Sequence, residues 1–348
     1  MAILAELVDL VIGVDTHKDT HTAAVVLAAT GAVLEQVTVS ATPAGYRQLQ
    51  ELAGRHQGQR IWAIEATGGY GAGLTRFLQA NAEQVVELDR PKRAARRHGA
   101  KSDPLDATRA AREALGRDHL AQPRAAGHRA ALQARLTTRR SAVQAGTDAQ
   151  RQLHALVVAA PDPLRGRLRG LTTRQLVTAC GRLRQRAAWD VETAATAASL
   201  RALARRIQLL EVEIADHTRA ITTLVRAWRP DLLTPCGVGP IVAAIVLCAW
   251  SHPGRCRTDA AFAMMGGAAP IPASSGQTVR VRLNRSGDRH LNQAFHLIVL
   301  TRPRYDPATR AYAERRRAEG KTNREIRRCL VRYVARQLYR LLEAQPTL

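Results

Sequence analysis

The sequence predicts an α/β domain on a mixed sheet over residues 1–125, followed by a long helical linker and a mostly helical C-terminal domain. Three observations carry this. Strand signals recur through the first 90 residues and vanish from about residue 126 to 228. Apolar residues over 200–228 then recur at alternating spacings of three and four. Finally, charge is divided unevenly between the front and back of the chain.

Leu10 to Val14 is an apolar run that ends at Asp15. Thr22 to Leu27 and Val33 to Val39 are further strands joined by a hairpin at Gly31. Tyr46 to Leu52 has helical spacing, and Arg60 to Glu65 is a buried strand closing on a carboxylate. Gly68 and Gly69 open a helix to Gln79, and Val85 to Leu88 is a fifth strand. A basic run follows (Arg90, Lys92, Arg93, Arg96, Arg97, Lys101), and Ser102-Asp103-Pro104-Leu105-Asp106 starts another helix. Three strands, helix, strand, helix, strand is the order of a ribonuclease-H-like domain.

Behind it, Leu200, Leu203, Ile207, Leu210, Ile214, His217, Ile221, Leu224 and Trp228 form a heptad seam, with His217 a polar residue that sets register. Residues 129–157 are a second long helix, and Pro161, Pro163, Gly166 and Gly170 separate the two. An antiparallel helical hairpin or coiled-coil arm over 126–228 is expected. Residues 229–348 open with Pro235-Cys236-Gly237-Val238-Gly239-Pro240. This has the look of a helix-hairpin-helix turn, where the Gly237 and Gly239 amides take a phosphate; plain packing is the alternative. A loop from Gly266 to Thr278 contains Ser274 and Ser275, and Arg280, Arg282, Arg285 and Arg289 follow it. The tail from Tyr305 to Leu342 is an arginine-rich amphipathic helix, with a solvated or a nucleic-acid-binding basic face.

The 348 residues carry 52 Lys and Arg against 29 Asp and Glu, a net charge of +23 that calls for a polyanion, most simply nucleic acid. A ribosomal-type or membrane-surface protein is the other class this balance admits. Residues 1–125 are nearly neutral at +1 and the rest carries +22, so the polyanion grip belongs behind and a carboxylate site in front. Five cysteines show no zinc-ligand spacing and read as reduced thiols. The N-terminus lacks a basic n-region, and the longest apolar run, Ile241 to Trp250, is ten residues. The expected location is the cytoplasm, on the nucleoid.

Asp15, Glu65, Asp103 and Asp106 are the candidate site. Asp15 and Glu65 end strands that can be neighbours, and Asp103 and Asp106 share a helical face at i, i+3. Hard cations want several carboxylate oxygens, and phosphoryl transfer uses such a cluster. The plain alternatives are an N-cap Asp103 followed by Pro104 at N1, with Asp106 at N3, and a strand-end Glu65.

Ile12-Gly13-Val14-Asp15-Thr16-His17-Lys18, Glu65-Ala66-Thr67-Gly68-Gly69-Tyr70 and Lys101-Ser102-Asp103-Pro104-Leu105-Asp106-Ala107 resemble the signature blocks of the DEDD transposases. These insertion-sequence recombinases are related to the Piv pilin-gene invertases. The second half agrees in its Pro-x-Gly-x-Gly turn, Phe262-Ala263-x-x-Gly266 with Pro270, Ser275-Gly276, and Arg285-x-Gly287-x-x-x-Leu291. The resemblance implies a RuvC-like N-terminal domain, one or two Mg²⁺ ions on the four acids, and a nucleophilic serine matching Ser275, with Ser274 beside it. It also implies donor and target DNA, a structured guide RNA encoded by the element, and assembly as a homodimer or homotetramer. Leu88-Asp89-Arg90-Pro91 departs from the family's Asn-Pro, and Asp89 reads as a turn residue. Two rivals stand beside a serine recombinase: a junction-type metal-dependent endonuclease using water, and a non-catalytic basic nucleic-acid binder.

Overall fold

The structure is a computed structural model that describes residues 4–65, 67–88, 102–117, 120–273 and 281–344. The chain divides into two compact units, Met1–Ala126 and Gly127–Leu348.

The first unit is built on strands β1 (Leu10–Thr16), β2 (Thr20–Leu27) and β3 (Val33–Ser40), helix α1 (Pro43–Gly54), strand β4 (Arg60–Glu65), helix α2 (Ala72–Ala80), strand β5 (Val85–Leu88) and helix α3 (Asp103–Leu115). Strand order is β3-β2-β1-β4-β5; β1 runs antiparallel to β2 and parallel to β4, and β4 parallel to β5. The expected mixed sheet and its five strands are therefore present. Helix α2 starts later than expected, at Ala72, because Gly68 and Gly69 lie in the turn before it.

Side-chain alternation decides which face each residue meets. Leu10, Ile12 and Val14 of β1 and Trp62 and Ile64 of β4 pack with α1 and α2. Val11 of β1 and Ile61 and Ala63 of β4 pack with Ala107, Ala111 and Ala114 of α3. Asp15 and Glu65 share the parity of this second set, so both carboxylates belong to the face that α3 covers. Gly13 permits the closeness of that cover: a Cβ there would collide with the Ala107 carbonyl oxygen and the Ala111 amide nitrogen. The alanine-rich face of α3 matches it from the other side.

The second unit is helical: α4 (His128–Ala159), α5 (Asp162–Leu168), α6 (Thr173–Gly181), α7 (Val191–Trp228), α8 (Pro240–Trp250), α9 (Asp259–Met265), a two-strand hairpin of β6 (Ile271–Pro272) and β7 (Val281–Arg282), α10 (Arg289–Tyr305), α11 (Pro307–Ala318) and α12 (Asn323–Glu343). Helices α4 and α7 run antiparallel, with Arg139 donating to Thr218 at 2.8 Å and Leu153 sharing a core with Leu200. The buried seam of α7 differs from the expected one by a residue at two points. Ala204 and Val225 are fully buried, the expected Leu203 and Leu224 pack beside them partly buried, and Leu200, Ile207 and Ile221 are buried as expected. The reason is that α6 also packs on α7 around Ala204 and α8 around Val225, so its inward side is not set by one partner helix. His217 lies half-buried in the seam beside Arg135. The expected turn between the long helices contains α5 and α6, the latter started by a capping box of Thr172 and Gln175.

The base of α4 and α7 joins α8, α9, α10 and α12 in one core around Phe262 and Phe295. Helix α8 is apolar all round because it lies inside that core. The buried Arg229 bonds Asp231 and the terminal carbonyls of Leu341 and Leu342, fastening the end of α12. The tail, expected as one helix, is broken into α11 and α12 at Gly320, whose φ is +81°; a Thr322–Glu325 capping box then restarts it.

Gly13→Ala forces α3 off β1, and overpacking of this kind costs about 1–3 kcal/mol. Chemical denaturation of residues 1–126 reads the loss; an unchanged midpoint would mean that α3 slides away freely.

Candidate active site

Four features set the N-terminus of α3 over the end of β1. Gly13 fixes the distance. The Gln36 side chain on β3 donates to the Pro104 carbonyl at 3.1 Å and to Thr108 Oγ1 at 2.8 Å, holding the first turn of α3. Thr108 Oγ1 closes back on the Pro104 carbonyl at 2.9 Å. Ser102 occupies the N-cap position, so Asp103 is the first helical residue rather than the cap, and Asp106 falls one position later than N3. Ser102 makes no side-chain cap bond, and the two aspartates are engaged elsewhere. Asp103 faces His17, whereas Asp106 pairs with Arg109 at 3.0 Å. The capping role weighed for Asp103 is therefore not the one it has.

At the centre is Asp15, whose side chain is 16% exposed. His17 Nε2 lies 3.2 Å from Asp15 Oδ2 and 3.4 Å from Asp103 Oδ1, bridging the two. Among the described residues, Asp15, His17 and Asp103 are the group whose ligand atoms lie within 4.8 Å of one another. Glu65 ends β4 next to Asp15, following the parallel Val14–Ile64 pair, and its carbonyl accepts from Thr16 Oγ1 at 3.2 Å. The structure thus places Asp15 and Asp103 together, Asp106 one turn along, and Glu65 at the adjacent strand end; Glu65 and Asp106 stand outside the tight group. His17 was not singled out as a site residue. The signal in the sequence is proximity alone: it lies two residues beyond Asp15, just past the end of β1.

Burial pushes the Asp15 carboxyl above the usual aspartate range; His17 opposes this, and the neighbouring Asp103 and Asp106 add to it. Two unit charges within 4.8 Å of each other repel by at least roughly 1 kcal/mol in water and about 3 kcal/mol near a protein surface. A half-buried acid crowded by two others is a place that gains from a cation. The donor set suits a divalent ion, with carboxylates for a hard metal and an imidazole that transition metals accept as readily.

The other expected contacts are scattered. Gly237 has φ +84°, and a Cβ there would press on the backbone of Ile298 in α10, so packing accounts for it. Gly239 is the N-cap residue of α8, with open space beside it. Arg282, Arg285 and Arg289 are exposed, on β7, the following loop and the first turn of α10. Gly287 in that loop has φ +98° and sits against the Met265 carbonyl, where no Cβ fits. Asp89, Arg93, Arg96, Arg97, Lys101, Ser274, Ser275 and Arg280 lie outside the described residues. No helix among the described residues is long and apolar enough to cross a membrane.

A mixed sheet carrying carboxylates at the ends of adjacent strands, with a helix bringing two more, is consistent with a ribonuclease-H-like fold. The comparisons narrow this. Residues 12–160 match the DEDD transposase family of IS110 type, and residues 231–314 match the transposase family IS116/IS110/IS902. The two matches together span about two thirds of the chain, which belongs to this family of insertion-element transposases. The chain is 30% identical over 154 residues to an uncharacterized 43.6 kDa protein of insertion element IS110 from Streptomyces coelicolor, covering 44% of this chain and 37% of that protein. It is 31% identical over 144 residues to an uncharacterized 42 kDa protein of insertion element IS900 from Mycobacterium paratuberculosis, covering 40% and 36%. These alignments span under two fifths of the relatives' own length.

A raised carboxyl pKa means the folded state prefers the protonated acid, so its contribution to stability fades as pH rises from the ordinary aspartate range through the raised value. Asp15→Asn removes that loss, so near neutral pH with chelator the variant melts higher than wild type, and the gain shrinks on acidification. Added Mg²⁺ or Mn²⁺ raises the wild-type melting temperature and moves the variant less. Equal metal responses would remove Asp15 from the ligand set.

Proposed function

We propose that the protein is an insertion-element transposase that cuts and rejoins DNA strands by transesterification, with Asp15, Glu65, Asp103 and Asp106 holding Mg²⁺ and Ser275 as nucleophile. The observation that carries this is the convergence of Asp15 and Asp103 at the end of β1, in a chain that belongs to a DEDD transposase family. Bound Mg²⁺ would activate the attacking oxygen and stabilise the departing one. Glu65 and Asp106 join the set by side-chain rotation, Asp106 leaving Arg109.

The chain's own groups define the remaining steps. The Ser275 hydroxyl attacks the scissile phosphorus. Its Oγ–P bond forms as the P–O bond to the departing strand breaks, and the proton ends on that strand's oxygen as a free hydroxyl. A hydroxyl of a second strand then attacks the phosphoserine and regenerates the serine. Bonds are conserved, so no nucleotide cofactor is consumed. Donor and target DNA are the substrates, and a structured RNA encoded by the element selects them. A homodimer or homotetramer lets the serine of one protomer serve the acids of another. The basic unit of residues 127–348 grips the polyanion while the nearly neutral unit holds the chemistry.

Incubation with Mg²⁺ and cognate DNA, meaning the element's own ends, is expected to give a denaturation-resistant protein–DNA adduct. Ser275→Ala gives none while binding DNA and metal normally; Ser274→Ala keeps the adduct. Adduct lost only in Ser274→Ala moves the role by one residue. Undiminished cleavage by Ser275→Ala without adduct makes water the nucleophile and the protein a nuclease.

Residues 127–348 alone are expected to retain most of the salt dependence of binding, since each B-DNA phosphate neutralised contributes a log–log slope of about 0.9. Equal dependence in residues 1–126 would refute the division of labour.

A further inference from the structure

The second unit contains a cavity of about 350 Å³ between the end of α9, the β6–β7 hairpin and helices α11 and α12. Its walls are of two kinds. Ala269, Pro270, Leu283 and Ile326 supply an apolar floor, and Arg282, Lys321, Arg328 and Arg332 a basic rim. Leu283 is 53% exposed, a large aliphatic side chain turned to solvent within a ring of cations. The cavity's carboxylate, Glu325, accepts from the Thr322 amide and hydroxyl, both at 2.8 Å, and is committed to that helix cap. A fifth cation, Arg316, pairs with Glu319. Arg282, Lys321, Arg328 and Arg332 make no direct ion pair among the described residues, although Lys321 and Arg328 act at longer range on the Glu325 carboxylate.

A phosphate alone would use the rim and waste the floor; an uncharged apolar molecule would do the reverse. An acidic peptide would match the cations but offers no flat apolar face for so small a floor. A nucleotide has both halves. Its base can lie on the aliphatic side chains, leaving the guanidinium groups of Arg328 and Arg332, one turn apart on α12, for its phosphate. Its phosphate meets the rim, and the volume falls within the usual range of small-ligand sites. A base stacked in a duplex cannot enter, so the nucleotide must be unpaired or turned out of its helix.

We propose that this cavity binds one unpaired nucleotide of a nucleic-acid strand, with the base on Leu283, Ala269 and Ile326 and the phosphate on Arg282, Arg328 and Arg332. The pocket lies at the foot of the hairpin whose strands flank residues 274–280. Holding a strand there by one extrahelical nucleotide fixes its register relative to that segment. The proposal rests on the chain being a nucleic-acid enzyme, and goes beyond it in naming what the cavity recognises.

The full-length protein is titrated with oligothymidylate and oligouridylate of about ten nucleotides, within the usual single-strand site sizes, and with an abasic strand of equal charge. Wild type is expected to bind the base-containing strand about fivefold more tightly than the abasic one, the low end for base contacts because the floor is aliphatic. Leu283→Ser on the surface and Ala269→Leu into the cavity each reduce that ratio toward one without changing the salt slope. Arg328→Gln with Arg332→Gln lowers the slope by about 0.7, one single-strand phosphate. Should Ala269→Leu fail to fold by its melting curve, Leu283→Ser decides alone. The strand type with the larger base-dependent ratio identifies DNA or RNA as the source. Wild-type discrimination retained in Leu283→Ser and Ala269→Leu overturns the proposal while leaving the functional reading intact. Absence of any salt-dependent strand binding by wild type sinks the functional reading itself.

Discussion

The contact between α3 and β1 at Gly13 is the constraint on which the site depends. Without a Cβ at that position, the helix backbone comes within reach of the strand, and the Ala107, Ala111 and Ala114 face completes the fit. Everything chemical is downstream of this closeness. It carries Asp103 to the end of β1, where His17 bridges it to Asp15, and it sets Asp106 near enough to press on the Asp15 carboxyl. Gln36 then pins the helix start sideways. A cluster of acids is unfavourable by itself, and packing energy from an alanine-and-valine interface holds it in place.

Much of this arrangement was legible in the residues. Leu10–Val14 and Arg60–Glu65 read as apolar strands ending on Asp15 and Glu65, strands that could be neighbours; their parallel pairing and register come from the structure. What could not be read was the job of each group. Asp103 beside Pro104 has the composition of a cap, and only the geometry shows that Ser102 takes the cap position while Asp103 turns to His17. His17 was overlooked because a histidine after a strand has no periodic signature. In the helical unit, α7 kept its period but changed its seam by one residue, since packing against both α4 and α6 chooses among neighbours such as Leu203 and Ala204. The break at Gly320 was visible as a glycine followed two residues later by a threonine cap, but the continuous arginine pattern around it masked the stop.

The two units answer opposite electrostatic needs. The sheet domain balances its charges and can concentrate acids at one edge. The helical unit carries the cations, and several of them, including Arg282, Arg328 and Arg332, surround a cavity whose one lining carboxylate, Glu325, is bonded to the Thr322 cap. Gly237 and Gly287 are glycines because backbone from α10 and α9 occupies the space a side chain would need, which makes them parts of the scaffold that presents this basic surface.

The proposed chemistry requires the end of β1 and the start of α3 to hold a metal ion. Anomalous diffraction from crystals of the full-length protein grown with Mn²⁺ tests it most directly. A peak is expected between Asp15 and Asp103, with Glu65 and Asp106 turned toward it. No peak at this position, with His17 still joining the two aspartates in the presence of the ion, would contradict it.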